Sequence, residues 1–336
     1  MPDISKINAV AIADIEKLDS ILAANIEKVN GLVFSTAPAF VGLLDTYTGA
    51  AAGYSTRRLA SATTVLMRVR RETAGGAGDD DEADVAYDTN NELSLDSAIS
   101  NPSALVTSTT LGQFLNVGTV NGTTYTNPDN LTVTASCFVD TWMDQSGNAN
   151  DAEQNIFGSQ PQIHDGTVNT DLIKENGKPA VVWVIPDKLA TAGNVLNSND
   201  LSLTFVGART SASRYNHTVV NFTGGANTAI YGSQQDQYLL LDGGVVASGS
   251  GGPGTAQHMY YFDTDGTNYE FRLNATAVYS GTRAYGTGTN ALQLGYYGGG
   301  GGDIGPIQEI VLWSGAKSDT DRNGIETDIM TYFSIT

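Results

Sequence analysis

The sequence predicts an all-β sandwich of jelly-roll type, preceded by a short repeat arm and closed by one helix. Three observations carry this. Short apolar stretches recur at regular spacing through residues 178–336, separated by glycine-rich turns. Glycine is abundant (38) and proline scarce (9), which suits many short strands better than long helices. Only 16% of residues are charged while 40% are apolar, a balance that excludes disorder.

The arm is the most regular part of the 336-residue chain. Asp3-Ile4-Ser5-Lys6-Ile7-Asn8 recurs as Asp14-Ile15-Glu16-Lys17-Leu18-Asp19 and as Asn25-Ile26-Glu27-Lys28-Val29-Asn30, a period of eleven. On a helix the apolar stripe Ile4, Ile7, Ala11, Ile15, Leu18, Leu22, Ile26, Val29, Val33 barely drifts. A β-coil turning at Asn8, Asp19 and Asn30-Gly31 fits the same period. The good helix formers between Ala13 and Lys28 favour the helix. In either form the stripe needs cover, so residues 1–34 are expected to dock or oligomerise, or else to pack on the main domain. That domain is expected over residues 35–336.

Within it, Leu66-Met67-Arg68-Val69-Arg70-Arg71 alternates as a strand with one basic face. The acidic run Asp79-Asp80-Asp81-Glu82 follows. Four carboxylates could hold Ca²⁺, but a solvated loop paired with Arg57, Arg58, Arg68, Arg70 and Arg71 is the plainer expectation. Residues 100–134 read as loop with short strands. Ala135-Ser136-Cys137-Phe138-Val139 is an apolar strand that runs into the polar loop Asp144-Gln145-Ser146-Gly147-Asn148-Ala149-Asn150-Asp151. Asp, Asn and Ser in such a loop bond their own backbone. Strands are expected at 180–185, 203–207, 218–222, 238–241, 258–263, 270–273, 291–296 and 309–313. Ser318-Asp319-Thr320-Asp321 opens a helix with Ile325, Ile329 and Tyr332 on one face.

Charge and cysteine content narrow the function classes. A formal net charge of −19 repels phosphate backbones and argues against nucleic-acid binding and docking on anionic membranes. One cysteine, Cys137, cannot form an intrachain disulfide, and burial of an inert thiol is expected. Three histidines and one cysteine make a zinc site improbable, and no metal or cofactor is expected. The first residues lack the basic start and apolar core of a secretory leader, so no export signal is expected. No apolar stretch reaches the length of a membrane span.

The string from Asp144 to Asp151, with Gln160-Pro161-Gln162-Ile163 after it, resembles the catalytic domain of fungal α-L-arabinofuranosidase B, and still more the domains of that type in bacteriophage virion proteins. Ala52–Leu59, Met67–Arg71, Asn176–Ala180 and Gln308–Trp313 fit the same pattern in order. The resemblance covers roughly residues 35–336. It implies a concanavalin-A-like (laminin-G-type) lectin jelly roll. It also implies a place on a virion surface, as a capsid decoration or tail fibre, with other virion proteins and host surface glycans as partners. By the usual symmetry of phage fibres it implies a homo-oligomer, a trimer.

The family's hydrolytic residues do not carry over. One acid place falls on or beside Gly244, in Leu240-Leu241-Asp242-Gly243-Gly244, and the other in Leu294-Gly295-Tyr296-Tyr297-Gly298. The nearest acids are Asp242 and Asp303. A glycosidase needs two carboxylates flanking one bond, so the expectation is no enzyme activity, with a glycan hydrolase and a bacterial surface lectin as rival readings. The candidate glycan contacts are Tyr296 and Tyr297, whose rings could stack on sugar faces, and Asp144, Asn148 and Asp151. The same three polar residues could simply hold their loop together, and the two tyrosines could simply alternate across the last sheet.

Overall fold

The computed structural model describes residues 39–76, 78–168, 171–196, 200–209, 254–282, 291–295 and 305–336 in full. It adds the backbone of the strands within 6–33 and 218–250. The chain divides into two compact units, Met1–Val41 and Gly42–Thr336.

The arm forms strands, not the expected helix. Lys6–Ile7 pairs with Val10–Ala11, Lys17–Leu18 with Ile21–Leu22, and Lys28–Val29 with Leu32–Val33, each pair antiparallel. The period of eleven therefore holds one two-stranded ladder per repeat. The turn formers Asn8, Asp19 and Asn30 stand between the paired strands, and their local preference outweighs the helix propensity of the intervening Ala, Glu and Lys.

In the larger unit we number the strands β1 (Ala50–Ser55), β2 (Met67–Glu72), β3 (Glu82–Val85), β4 (Ser136–Trp142), β5 (Ala152–Glu153), β6 (Gln162–His164), β7 (Val181–Trp183), β8 (Lys188–Asn194), β9 (Asp200–Gly207), β10 (Thr218–Thr223), β11 (Thr228–Gly232), β12 (Gln237–Asp242), β13 (Val245–Ser250), β14 (His258–Asp265), β15 (Asn268–Leu273), β16 (Thr276–Thr282), β17 (Ala291–Gly295) and β18 (Gly305–Ser314). The helices are α1 (Leu43–Thr46), α2 (Leu111–Leu115) and α3 (Asp319–Phe333). One sheet has the order β16-β15-β14-β9-β18-β1. The other runs β13-β12-β11-β10-β17-β8-β5-β4-β2-β3. β7 and β6 bridge them, pairing with β18 on one side and β4 on the other. Every pairing is antiparallel, as meanders without crossover helices require. This is the all-β sandwich that the sequence predicts.

Alternation explains the layers. On the first sheet Tyr54, Leu203, Phe205, Phe262, Phe271 and Leu312 face inward and meet Met67, Val69, Cys137, Val139, Leu189 and Leu294 in one core. The opposite face presents Val206, Met259, Val311 and Trp313, and Ile325, Ile329 and Phe333 of α3 cover it. Ser318 caps α3, its Oγ accepting from Asp321 N at 3.1 Å. Cys137 is fully buried. Burial pushes its thiol well above the ordinary range, as the inert-thiol reading requires.

The acidic run is part-exposed and paired with Arg68, Arg70 and Arg71, while Arg57 pairs instead with Glu309 and Asp328. Asp80 meets Arg70 and Asp81 meets Arg71, both at 2.7 Å, while Glu82 meets Arg68 at 2.9 Å. Asp79 accepts from the backbone N–H groups of Thr73 and Gly75. Residues 100–134 also contain α2, whose Phe114 and Leu115 are fully buried. Among the described residues no helix is long and apolar enough to cross a membrane.

Candidate functional site

The loop at 144–151 follows β4 and lies along the open edge of β1. Among the described residues that edge has no strand beyond it, and exposed edges invite unwanted pairing. Loop side chains take the place of the missing strand. Asp144 Oδ1 accepts from Gly53 N at 2.9 Å, and Gln145 N donates to Gly53 O at 2.8 Å. Asn148 Nδ2 donates to Ala50 O and Asn150 Nδ2 to Ala51 O, each at 2.8 Å. Gln145 Nε2 and Trp142 Nε1 both reach Ser55 O at 3.3 Å, and the Tyr54 hydroxyl donates to Asn150 O.

The loop also ties itself together. Asp144 accepts further bonds from Ser146 N (2.9 Å), Ser146 Oγ (2.7 Å) and Asn150 N (3.0 Å), and Asp151 Oδ1 accepts from Asp144 N at 2.8 Å. A carboxylate offers about four acceptor positions, and Asp144 fills four. Of the candidate glycan contacts, then, Asp144, Asn148 and Asp151 come together, and all three bond protein backbone. A shallow cavity of about 330 Å³ adjoins them, lined by Thr63, Thr64, Met143, Asp144 and Asp151. Asn148→Ala or Asp151→Ala should each cost about 1–3 kcal/mol, because each leaves a partly buried backbone group unpaired. Urea unfolding checks this, and a loss below a few tenths in both would mean that water replaces the loop.

Tyr296, Tyr297, Asp303 and Gly244 lie outside the described residues, as does the side chain of Asp242. Gly295, in the Leu294-Gly295 pair that precedes the place of the second acid, is described. Its φ is +85°. A Cβ there would stand 2.6 Å from Trp183 Cε3 and 2.7 Å from the Asp187 carbonyl oxygen. Both the backbone conformation and the space demand glycine, so no side chain, acidic or other, fits.

The antiparallel pair Lys188↔Gly295 puts Asp187 beside this glycine. Sequence reasoning passed over Asp187, since Ile185-Pro186-Asp187 reads as an ordinary polar turn. Here the residue is only 4% exposed. Its Oδ2 accepts from Val184 N at 2.8 Å. Burial pushes its carboxyl up to about 6, although the Val184 N–H pulls the other way. Trp183 is fully buried and stands 6.2 Å, centroid to centroid, from Trp142, which lies 6.0 Å from Tyr54. Val184, by contrast, is 47% exposed. The turn thus holds one desolvated carboxylate and one exposed aliphatic side chain, next in sequence to the buried Trp183. Such a carboxylate can accept a hydroxyl hydrogen bond or, protonated, donate one.

No protein-family model matches the sequence, and no curated protein matches it. Solved structures do share the fold. An arabinofuranosidase complexed with arabinofuranosyl-α-1,2-xylobiose aligns at 18% identity and a TM-score of 0.56, over 86% of this chain and 64% of its own. A point mutant of a GH54 α-L-arabinofuranosidase, soaked with 4-nitrophenyl α-L-arabinofuranoside, aligns at 18% identity and a TM-score of 0.55, over 86% and 65%. The chain thus spans less than two thirds of the length of these enzymes, and at this identity the likeness is one of fold: this chain is a β-sandwich of the architecture found in arabinofuranosidases.

Proposed function

We propose that the chain is a non-catalytic, glycan-binding structural or adhesion protein of a bacteriophage particle. One observation carries the non-catalytic part. Glycine stands at both acid places that the resemblance gives, on or beside Gly244 and in the glycine-rich loop that follows the Leu294-Gly295 pair. Without an acid to protonate the leaving oxygen, general acid catalysis worth about 10²–10⁴-fold is missing.

Glycan binding is supported by the fold shared with an arabinofuranosidase complexed with arabinofuranosyl-α-1,2-xylobiose and with one soaked with 4-nitrophenyl α-L-arabinofuranoside. The bonding surface is the turn at Val184–Asp187, where the Asp187 carboxylate can take a sugar hydroxyl. The virion setting is supported by the resemblance of the 144–151 loop to phage domains and by the arm. Isolated two-stranded ladders are marginal in water, so the arm's order comes from packing against copies of itself or against another virion protein. Removal of residues 1–33 is expected to leave the sandwich folded and abolish assembly. Light scattering tests it: a truncated protein with the full chain's oligomeric mass and undiminished incorporation into particles would remove the arm from the proposal.

A second reading has its own observation. A carboxyl near pH 6 is poised for proton transfer, so Asp187 favours a hydrolase in which it replaces the missing acid. Turnover that vanishes in Asp187→Asn would establish that reading over the first.

A further inference from the structure

We infer that the chain carries a second glycan site, on the helix-bearing face of the first sheet, for a neutral sugar. It is independent of the turn at Val184–Asp187 and does not rest on it. α3 covers the rows of that face centred on Met259 and Val311, but further along the strands the residues become polar. Ser202, Asp263, Glu270 and Ser280 stand directly opposite one another across β9, β14, β15 and β16. The last three line a cavity of about 470 Å³, together with Asn268, Thr282 and Arg322. That volume falls within the range of about 300–1,000 Å³ usual for ligand sites.

The chemistry of the lining selects the occupant. Asp265 is engaged by its turn, accepting from Thr267 N and from the backbone and side-chain N–H groups of Asn268. Glu270 is held by Arg272 at 3.0 Å and faces Arg322 at 3.7 Å. Asp263 accepts from the Ser202 hydroxyl at 2.8 Å, and burial holds its carboxyl above the ordinary range. Asp263 and Glu270 are like charges on adjacent strands, an arrangement that costs stability and that a hydroxyl donated between them would relieve. Anionic sugars are excluded by the three carboxylates. A metal is disfavoured, since among the described residues no three acidic, histidine or cysteine side chains converge on one point. What remains is a neutral polyol, its hydroxyls donating to Asp263 and Glu270 and accepting from Arg322, Asn268 and Ser280, while the Thr282 hydroxyl donates to Asn268 Oδ1.

Saturation-transfer NMR on the full chain tests this, with methyl β-D-glucopyranoside, methyl β-D-galactopyranoside and methyl α-L-arabinofuranoside as probes. At least one should give a signal that weakens at least tenfold in Asp263→Asn and in the cavity-filling Ser280→Tyr, and that persists in Asp187→Asn. Ser280 is exposed at the surface of β16, so its variant keeps the test open if Asp263→Asn fails to fold. No signal from any probe, a signal unchanged in Ser280→Tyr, or calorimetric binding of CaCl₂ that Asp263→Asn abolishes would each overturn the inference.

Discussion

Replacing Glu309 by alanine is expected to destabilise the protein by about 3–5 kcal/mol, because it leaves the buried Arg57 guanidinium without its main counter-charge. Glu309 is fully buried. It accepts from Arg57 Nε at 2.7 Å, from Arg57 Nη2 at 3.1 Å and from Ser55 Oγ at 2.9 Å. Arg57 also reaches Asp328 of α3 at 2.8 Å and lies 4.5 Å from the Tyr332 ring centroid. Tyr332 in turn donates to Glu92 Oε2 at 2.6 Å, and Lys178 Nζ meets the same oxygen at 2.7 Å. The pair therefore joins β1, β18 and α3 through one set of charges. Breaking one side should cost far more than replacing both, so Arg57→Met with Glu309→Leu should recover most of the loss. Urea unfolding reads both. A loss below about 1 kcal/mol in Glu309→Ala would mean that water reaches the guanidinium and the pair does not hold the helix.

The second large effect has the opposite sign. Asp187→Asn should stabilise the protein at neutral pH. Holding this carboxyl near 6, against its ordinary 3.8, costs roughly 3 kcal/mol once it is ionised. The folded state holds its proton more tightly than the unfolded one. This group's contribution is therefore complete below about pH 3.8 and is lost as pH rises through 6. Asparagine keeps an acceptor for the Val184 N–H and does not ionise. At pH 7.5 the variant should be more stable by about 1–3 kcal/mol, and the gap should close towards pH 4. Parallel stability curves for the two proteins across that range would place Asp187 in water.

Much of the sandwich was legible because strand alternation is a local signal. β14 is buried over four consecutive residues and β18 over seven, and Ser318 announces the start of α3. β1 was harder: Ala50-Ala51-Ala52-Gly53 has too little apolar bulk to read as a strand, and its burial depends on β18 and the 144–151 loop, both distant in sequence. β16, with mostly exposed side chains, left no apolar pattern to find. The arm deceived because a period of eleven suits a helix and a ladder equally, and propensity chose the wrong one. The self-bonding of the 144–151 loop could be read from its Asn, Asp and Ser content, but its role as cover for the β1 edge could not. Asp187 could not be found either, since a Pro-Asp turn becomes a desolvated site only when Gly295 and Trp183 close around it.

The claim that this sandwich binds without cutting is tested most directly with 4-nitrophenyl α-L-arabinofuranoside and the purified full chain. Titration calorimetry should show binding that weakens in Asp187→Asn, while nitrophenolate release stays at the rate of buffer alone. Release above that rate, abolished in Asp187→Asn, Asp242→Asn or Asp303→Asn, would contradict it.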